Sequence, residues 1–277
     1  MGDFFDTVDG MGIVENHIQQ VQKLEEVQAK SLLSTYRSIR QDLRDRLDTI
    51  RADTFTAQQL RGVLAQVDAA IYAMNESLKG NIGKGAEKAA LSGVKDLLTE
   101  IKAFDGKFTG AVTPINLNAV AVAQDTKNFL INKYQVSLDS YAEDIRSRIT
   151  QSITNAAIEE ISMYELTSRM GQFFLGEEWK LNQIARTELH GIYSLGKQNG
   201  MIETRDNFLP DLKKTLIHPM DKRTGPDSKF VAQKNLIVDI DKPFEYKWAG
   251  KKRTYMTPPD RPNDRSILVP YREAWNS

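Results

Sequence analysis

The sequence contains no cysteine and has no excess of charge of either sign. Without cysteine, neither a disulfide framework nor a thiolate-ligated zinc site can form. Lys and Arg together number 37, and Asp and Glu also number 37. The chain as a whole therefore exerts no net electrostatic attraction on nucleic acid or on an anionic membrane, and any contact with DNA must come from a local basic patch.

Long apolar runs are also missing. No stretch approaches the roughly 20 apolar residues that span a membrane as a helix. The first ten residues carry acidic side chains where a signal peptide requires basic ones. We therefore expect a soluble protein that is made in the cytoplasm and has no membrane partner.

Proline is almost absent from the first 205 residues. Eight of the nine prolines fall in the last 72 residues, and only Pro114 lies upstream. Because proline interrupts helices, the sequence predicts a mainly α protein in which long helices stop near residue 206. We expect an elongated helical body over residues 1–175, with a long N-terminal helix, and a small C-terminal α+β module over residues 176–277.

Apolar side chains spaced three and four apart predict a first helix over residues 13–50, roughly 57 Å long at about 1.5 Å per residue. A capping box at 56–59 begins a second helix, which Gly80 ends, and a flexible linker over 80–85 leads to a third. The remaining helices are predicted over residues 86–104, 117–134, 138–161, 163–174 and 177–203, with caps at Ser137 and 162–165. Helices of about 20 residues cannot cover the whole first stripe, so part of it, including Ile39 and Leu43, should be buried only on a partner.

The C-terminal part has short β-type runs and a local basic bias. Strands are predicted over 235–240 and 266–270, with an aromatic run over 244–248 between them. Residues 210–277 carry 14 Lys and Arg against 9 Asp and Glu, and 14 minus 9 gives +5. One basic cluster lies beside Tyr246, Trp248 and Tyr255, and it is formed by Lys247, Lys251, Lys252 and Arg253. It predicts a DNA-binding patch with stacking aromatics, but the same alternation fits the inner face of a hairpin turning at 249–250.

Candidates for chemistry are few. His218, Asp221 and Asp227 could hold a metal through nitrogen and oxygen. The two aspartates bracket a Gly-Pro pair, however, and short polar side chains around such a pair favour a structural turn. The sequence shows no nucleophile elbow, no HExxH and no paired-carboxylate motif. We therefore assign no catalytic residue, expect neither a metal nor a cofactor, and predict that the protein is not an enzyme.

Four separated stretches carry a resemblance to a known family. They are Ala-Arg-Thr-Glu at 185–188, Asp-x-Arg-Thr at 221–224, the strand end around Val238, Asp239, Pro243 and Phe244, and Pro-Pro-x-x-Pro-Asn at 258–263. In these stretches the sequence resembles the Mu F-like minor head proteins (head morphogenesis proteins) of tailed bacteriophages. The resemblance implies a structural motif made of Arg186, Thr187, Glu188, His190, Asp221, Arg223, Thr224, Asp239, Asn263 and Arg265.

The sequence departs from the family pattern at three positions. Family members often carry a histidine where this chain has Ser228, and Asn-Cys-Arg-Cys where this chain has Asn-Asp-Arg-Ser at 263–266. If the histidine and cysteines bind a metal in relatives, the resemblance implies that the site is lost here. Arg265 is kept, and we expect the carboxylates of Glu188 and Asp221 to pair with Arg186, Arg223 or Arg265 in the interior of the module.

The resemblance implies a function in virion assembly. It suggests a low-copy minor head protein that associates with the portal protein during procapsid assembly and lies in the capsid interior near the portal. Scaffold and major capsid protein are further candidate partners of the helical body, and nonspecific double-stranded DNA is a candidate partner of the C-terminal module during packaging or ejection. Two alternatives are a virion-borne enzyme and a structural adaptor that does not touch DNA.

Overall fold

The protein is mainly α-helical, as predicted. The computed structural model describes residues 8–48, 57–106, 108, 117–159 and 163–276. Four long helices of 41, 48, 42 and 45 residues are α1 (Val8–Asp48), α2 (Ala57–Phe104), α3 (Leu117–Ile158) and α4 (Met163–Asn207). Within these described residues, no helix combines the length and apolar character that a membrane crossing requires.

The small C-terminal α+β part is also confirmed. Strand β1 (Lys213–Ile217) lies between β2 (Val238–Asp239) and β5 (Ile267–Tyr271), and both of its neighbours are antiparallel to it. Strands β3 (Phe244–Trp248) and β4 (Lys251–Tyr255) form a separate hairpin. The sequence predicted the positions of β2, β3 and β5, whereas β1 and the nine-residue helix α5 (Pro226–Lys234) were not predicted.

The predicted break at Gly80 is wrong. Residues 80–85 continue α2 without interruption, although each glycine costs about 1 kcal/mol relative to alanine inside a helix. The apolar stripe explains the difference, because Leu78 and Ala86 on either side are 1% and 0% exposed and continue one buried face. In the same way Ser137 lies inside α3, and α4 runs through 174–177. The predicted caps at Thr56 and Ser162 lie outside the described residues.

The expectation that part of the apolar stripe of α1 is buried only on a partner is wrong for Leu43, whereas Val27 of the same stripe is 66% exposed. Leu43, which was predicted to be buried only on a partner, is 2% exposed in the chain itself, and Leu32 and Tyr36 are fully buried. Ile39 is half-buried. The reason is helix length: α2, α3 and α4 have 42 to 48 residues rather than about 20, which is long enough to cover a stripe of this extent.

The chain forms two compact units that are each assembled from separated segments. The first unit contains residues 1–26, 85–130 and 186–277, and the second contains residues 27–84 and 131–185. Helix α4 runs unbroken across residues 175 and 176. The predicted boundary between a helical body (residues 1–175) and a C-terminal module (residues 176–277) stays a prediction.

The first unit has an apolar core that joins helices to the C-terminal strands. Leu97 and Ile101 of α2 and Met201 of α4 pack with Leu212, Ile240, Phe244 and Leu268. The two helices approach so closely that a Cβ on Gly93 would overlap the carbonyl oxygen of Tyr193. A Cβ on Gly196 would likewise lie 2.9 Å from the Cα of Ala90. Small residues at this crossing therefore bring the backbones of α2 and α4 together.

Candidate functional site

The turn at 219–225 is organised by Asp221. Its side chain accepts a hydrogen bond from the backbone N–H of Arg223 at 2.8 Å, and the hydroxyl of Thr224 bonds to the backbone carbonyl of Pro219. The backbone N–H of Thr224 donates to the carbonyl of Asp221 at 3.1 Å. Short polar side chains that bond to their own turn are typical of loops at this position. The Asp-x-Arg-Thr stretch is thus a folded turn with its own hydrogen bonds.

Arg265 clamps this turn from the loop before β5. Its guanidinium binds Asp221 in a bidentate manner at 2.7 and 2.6 Å, the planar geometry that distinguishes arginine from lysine. The contact lowers the pKa of Asp221 well below its usual range, and the hydrogen bond from Arg265 is the main cause. The predicted pairing of Arg265 with Asp221 is therefore found.

The predicted interior location of this pair is wrong. The Asp221 side chain is 43% exposed. Arg223 is 64% exposed, and its guanidinium lies 3.6 Å from the same carboxylate, beyond hydrogen-bond distance. Arg186 is half-buried on α4, and its Nε has no hydrogen-bond partner within the described chain. The pairing predicted for Glu188, which is half-buried on α4, stays a prediction.

His190 is the most tightly held of the motif residues. It is 3% exposed, its Nδ1 lies 2.9 Å from the carboxylate of Glu25, and its Nε2 lies 2.6 Å from the backbone carbonyl of Ser266. Both partners are acceptors, so only the doubly protonated imidazolium satisfies both contacts. Burial lowers the pKa of His190, but the hydrogen bond and charge of Glu25, the carbonyl of Ser266 and the charge of Asp264 together outweigh it, so that the pKa is raised overall. His190 thus connects α1 and α4 to Ser266, the residue before β5.

The loop over 258–266 is fixed at several points. It contains a cis peptide bond between Pro258 and Pro259, and Asn263 has a positive φ of 61°. The backbone N–H of Asn263 donates to the hydroxyl of Thr187 at 3.4 Å. The Pro-Pro-x-x-Pro-Asn and Ala-Arg-Thr-Glu stretches are therefore in contact, although 76 residues separate the two bonded positions.

The three positions that depart from the family pattern surround a single cleft. Ser228, Asp264 and Ser266 all line it, together with His218. The hydroxyl of Ser266 bonds to Asp264, and it lies 2.8 Å from Nδ1 of His218. Ser228 bonds instead to the guanidinium of Arg261. The replaced positions therefore form a polar cluster of hydroxyls and carboxylates.

The alternative in which His218, Asp221 and Asp227 share a metal does not fit the contacts. Asp221 is engaged by Arg265, and Asp227 lies 2.8 Å from Nε of Arg261. Across residues 8–48, 57–106, 108, 117–159 and 163–276, no group of three or more His, Asp or Glu side chains is placed to hold a metal ion. A structural turn, which the Gly-Pro pair favours, accounts for the contacts of Asp221 and Asp227 better than a metal site does.

Asp239 is exposed at the end of β2, where it lies opposite Lys213 of β1. Its carbonyl accepts a hydrogen bond from the N–H of Lys242 at 2.9 Å, and this turn leads into Phe244 of β3. The strand end that was predicted around Val238 is therefore present. Phe244 is fully buried, so this stretch anchors the hairpin to the core.

The basic cluster lies on the β3–β4 hairpin, whose turn is made by Ala249 and Gly250 with φ of 47° and 78°. Positive φ at both central residues is the type I′ pattern that matches the twist of a hairpin. The four cationic side chains are exposed, and they belong to Lys247, Lys251, Lys252 and Arg253. Within the part of the chain that the structure describes, only Lys252 among them forms an ion pair, with Glu245 at 2.9 Å.

The aromatic side chains of the hairpin face inward. Tyr246 is 8% exposed, and Trp248 packs on Phe230 of α5 with ring centroids 4.9 Å apart. Tyr255 packs on Phe244 at 5.7 Å. The packing of the alternating aromatics fits the hairpin-core interpretation, and Tyr246 is too buried to stack on bases, whereas base stacking by Trp248 and Tyr255 stays a prediction.

A buried polar network in the first unit was not predicted. Glu100 of α2 accepts hydrogen bonds from Nζ of Lys197 at 2.5 Å and from Nδ1 of His17 at 2.8 Å. The hydroxyl of Tyr193 donates to Asp96 at 2.9 Å. All five side chains are at most 5% exposed. The available signal was spacing, because Asp96 and Glu100, like Tyr193 and Lys197, are four residues apart and therefore share one face of their helix.

Comparisons with known proteins add no relative: no family model, no curated protein and no solved structure matches this chain.

Proposed function

We propose that this protein is a minor head protein of a tailed bacteriophage that associates with the portal protein during procapsid assembly, without enzymatic activity of its own. One observation carries the proposal. The stretches that resemble the Mu F-like family are scattered over about 80 residues of sequence, yet they bond to one another through Arg265 and Asp221 and through Asn263 and Thr187. If the resemblance reflected amino-acid composition alone, the matching residues would not be expected to lie in contact with one another.

The proposal is tested with the tagged protein in infected cells. The protein should co-purify with portal and appear at low copy in isolated heads. Because Leu43 is covered within the chain itself, docking should not depend on it, and an aspartate there should act by unfolding the protein. Purified heads that lack the protein altogether would contradict the proposal. Scaffold and major capsid protein, if co-purified in place of portal, would replace it as the partner.

The basic hairpin supports a second element of the proposal, which is nonspecific contact with double-stranded DNA. Lys247 lies directly opposite Lys252 in the strand register. Like charges at opposed positions destabilise a hairpin, so an arrangement of this kind favours an external polyanion. An exposed two-stranded ribbon also fits the width of a major groove. Location in the capsid interior would place such a surface near packaged DNA.

Salt dependence tests the DNA contact. With about three or four phosphates engaged, the slope of log affinity against log salt on duplex DNA should be near −3 to −4, at about −0.9 per phosphate. Reversing the charge of Lys251 and Lys252 should flatten this slope. The matched control reverses the charge of Lys95 and Lys102, which are exposed on α2 and lie outside the hairpin. If the wild type fails to shift DNA even at about 50 mM salt, the adaptor without DNA contact is the better description.

A further inference from the structure

The inner face of the β3–β4 hairpin is covered only along β3. Phe244 and Tyr246 of β3 are buried, and Trp248 is half-buried. Lys251 and Arg253 of β4 lie directly opposite Trp248 and Tyr246 in the strand register, so their side chains share that face. Both are nevertheless exposed. The inner face therefore opens to solvent beside Trp248.

Helix α5 forms the other side of this opening. Phe230 of α5 packs on Trp248 with ring centroids 4.9 Å apart and ring planes inclined by 45°. Lys234, one turn further along α5, has its Nζ 5.2 Å from the centre of the Phe230 ring. Phe230 is half-buried, as Trp248 is, so part of each ring stays accessible. These two rings form an aromatic ledge between α5 and β4.

The cations beside the aromatic ledge are not neutralised within the described chain. Among the residues that the structure describes, Lys234, Lys251 and Arg253 form no ion pair. Glu245 lies on the outer face of the hairpin, where it pairs with Lys252 at 2.9 Å. The one acid of α5 is bound by an arginine of the 258–266 loop. Three positive charges therefore stay available around the two rings, and they favour a polyanion.

Aromatic rings flanked by cations match the chemistry of an unpaired nucleotide. Its base offers a flat π-face to a ring, and its phosphate offers a negative charge to the neighbouring cations. In a duplex the bases are stacked inside the helix, where a ring on a protein surface does not reach them unless they are flipped out. An acidic peptide would bind the cations but would leave the rings uncovered. The surface therefore fits a single strand better than either of these.

We propose that the aromatic ledge binds unpaired DNA, with a base stacked on Trp248 and the adjacent phosphates held by Lys234, Lys251 and Arg253. This inference rests on the DNA contact proposed above for the kind of nucleic acid, and it gives that contact a preference for unpaired strands. Every base has a π-face, so the contact tolerates any sequence.

Two oligonucleotides test the proposal on the full wild-type chain. Oligothymidylate of about eight nucleotides supplies unpaired bases, and an abasic strand of the same length has the same phosphates without bases. Fluorescence anisotropy of the labelled strands at about 50 mM salt measures both affinities. Oligothymidylate should bind about 5- to 150-fold more tightly, which corresponds to one stacked base. Equal affinity for the two strands would overturn the proposal.

Trp248→Leu shows whether the aromatic ledge is responsible. The variant should bind oligothymidylate about as weakly as the abasic strand, while its affinity for the abasic strand stays close to that of wild type. Trp179→Leu is the matched control, because this tryptophan is 60% exposed on α4 and belongs to the second unit. A Trp248→Leu variant that keeps the preference for oligothymidylate would refute the assignment. An unfolded variant would lose both strands, and the wild-type comparison then decides alone.

A stable duplex separates this inference from the duplex contact proposed above. Its bases are paired and stacked, so Trp248→Leu should bind it as wild type does. If wild type binds the duplex but does not distinguish oligothymidylate from the abasic strand, the duplex contact stands and the aromatic ledge is rejected. If wild type prefers oligothymidylate and fails to bind the duplex, the converse holds. Binding to none of the three rejects both.

Discussion

Replacing Lys197 with methionine should be among the most damaging single changes to this fold. The ammonium group is fully buried and lies 2.5 Å from Glu100, which is also fully buried. Asp96 contributes a second carboxylate, so the network contains two acids, one lysine and His17. Methionine fills a similar volume, which leaves the change of charge as the main effect. Two buried carboxylates then share a single imidazole.

The expected loss follows from that unbalanced charge. Breaking a buried ion pair by removing one partner costs about 3–5 kcal/mol, because the remaining charge is left without compensation. At roughly 2–4 °C per kcal/mol for chains of this size, the melting temperature should fall by about 6–20 °C. The double variant Lys197→Met with Glu100→Gln removes both charges together and should recover most of the loss. Its deficit should be about 1 kcal/mol, the contribution of an ordinary hydrogen bond.

Guanidinium unfolding followed by circular dichroism measures these free energies. Lys95→Met, on an exposed position of α2, is the control and should stay within about 0.5 kcal/mol of wild type. The reasoning is refuted if Lys197→Met loses less than about 1 kcal/mol, or if the double variant is as unstable as the single one.

The same variant should respond to pH in a defined direction. Burial raises the pKa of Asp96 in the folded protein. A group with a raised folded pKa favours the fold below its unfolded pKa, and this contribution is lost as pH rises through the folded pKa. Protonation also removes the uncompensated charge of the variant. The deficit of Lys197→Met relative to wild type should therefore be smaller near pH 4 than at pH 7.

Three further predictions concern other parts of the chain. In α2, Gly80→Ala should stabilise the fold by about 0.4–1 kcal/mol because nothing lies within 4 Å of the added Cβ. Gly93→Ala should instead destabilise the fold by about 1–3 kcal/mol, because its Cβ would force the backbones of α2 and α4 apart. Thermal unfolding of both variants and wild type tests this difference. Arg265→Ala should lower the melting temperature only slightly, because its partner carboxylate is 43% exposed and screened by solvent, and a fall as large as that of Lys197→Met would contradict this. Because the pKa of His190 is raised, its pair with Glu25 should add stability below about pH 6.5 that is lost as pH rises through the folded pKa, and Glu25→Gln should flatten this dependence in unfolding measured from pH 5.5 to 8.

The secondary structure was predictable where local and tertiary preferences agree. The proline-rich end, the hairpin at 249–250 and the helical character of the described residues before 206 all follow from local chemistry. Helix ends were predicted less well, because glycine and serine are local signals that burial can override. At Gly80 the apolar positions on both sides stay buried, and their packing exceeds the cost of the glycine.

The candidate site was predictable only in its local parts. Asp221 and Thr224 are close in sequence, so their turn could be read from residue types. The pairing of His190 with Glu25 joins positions 165 residues apart, and periodicity contains no information about such a contact. The same holds for His17 and Glu100, where each helix shows a polar position on an apolar face but nothing in the sequence states which faces meet.

The C-terminal module is not independent of the helices that precede it. Its core includes Leu97 and Ile101 of α2 and Met201 of α4, and its motif histidine is bonded to Glu25 of α1. A segment that begins at residue 210 would expose the apolar faces of Phe244 and Leu268 that these helices cover, and small domains have little stability to lose. Loss of DNA binding in an isolated C-terminal fragment would therefore report unfolding. The full chain is the form in which the hairpin has the geometry that gives it its proposed role.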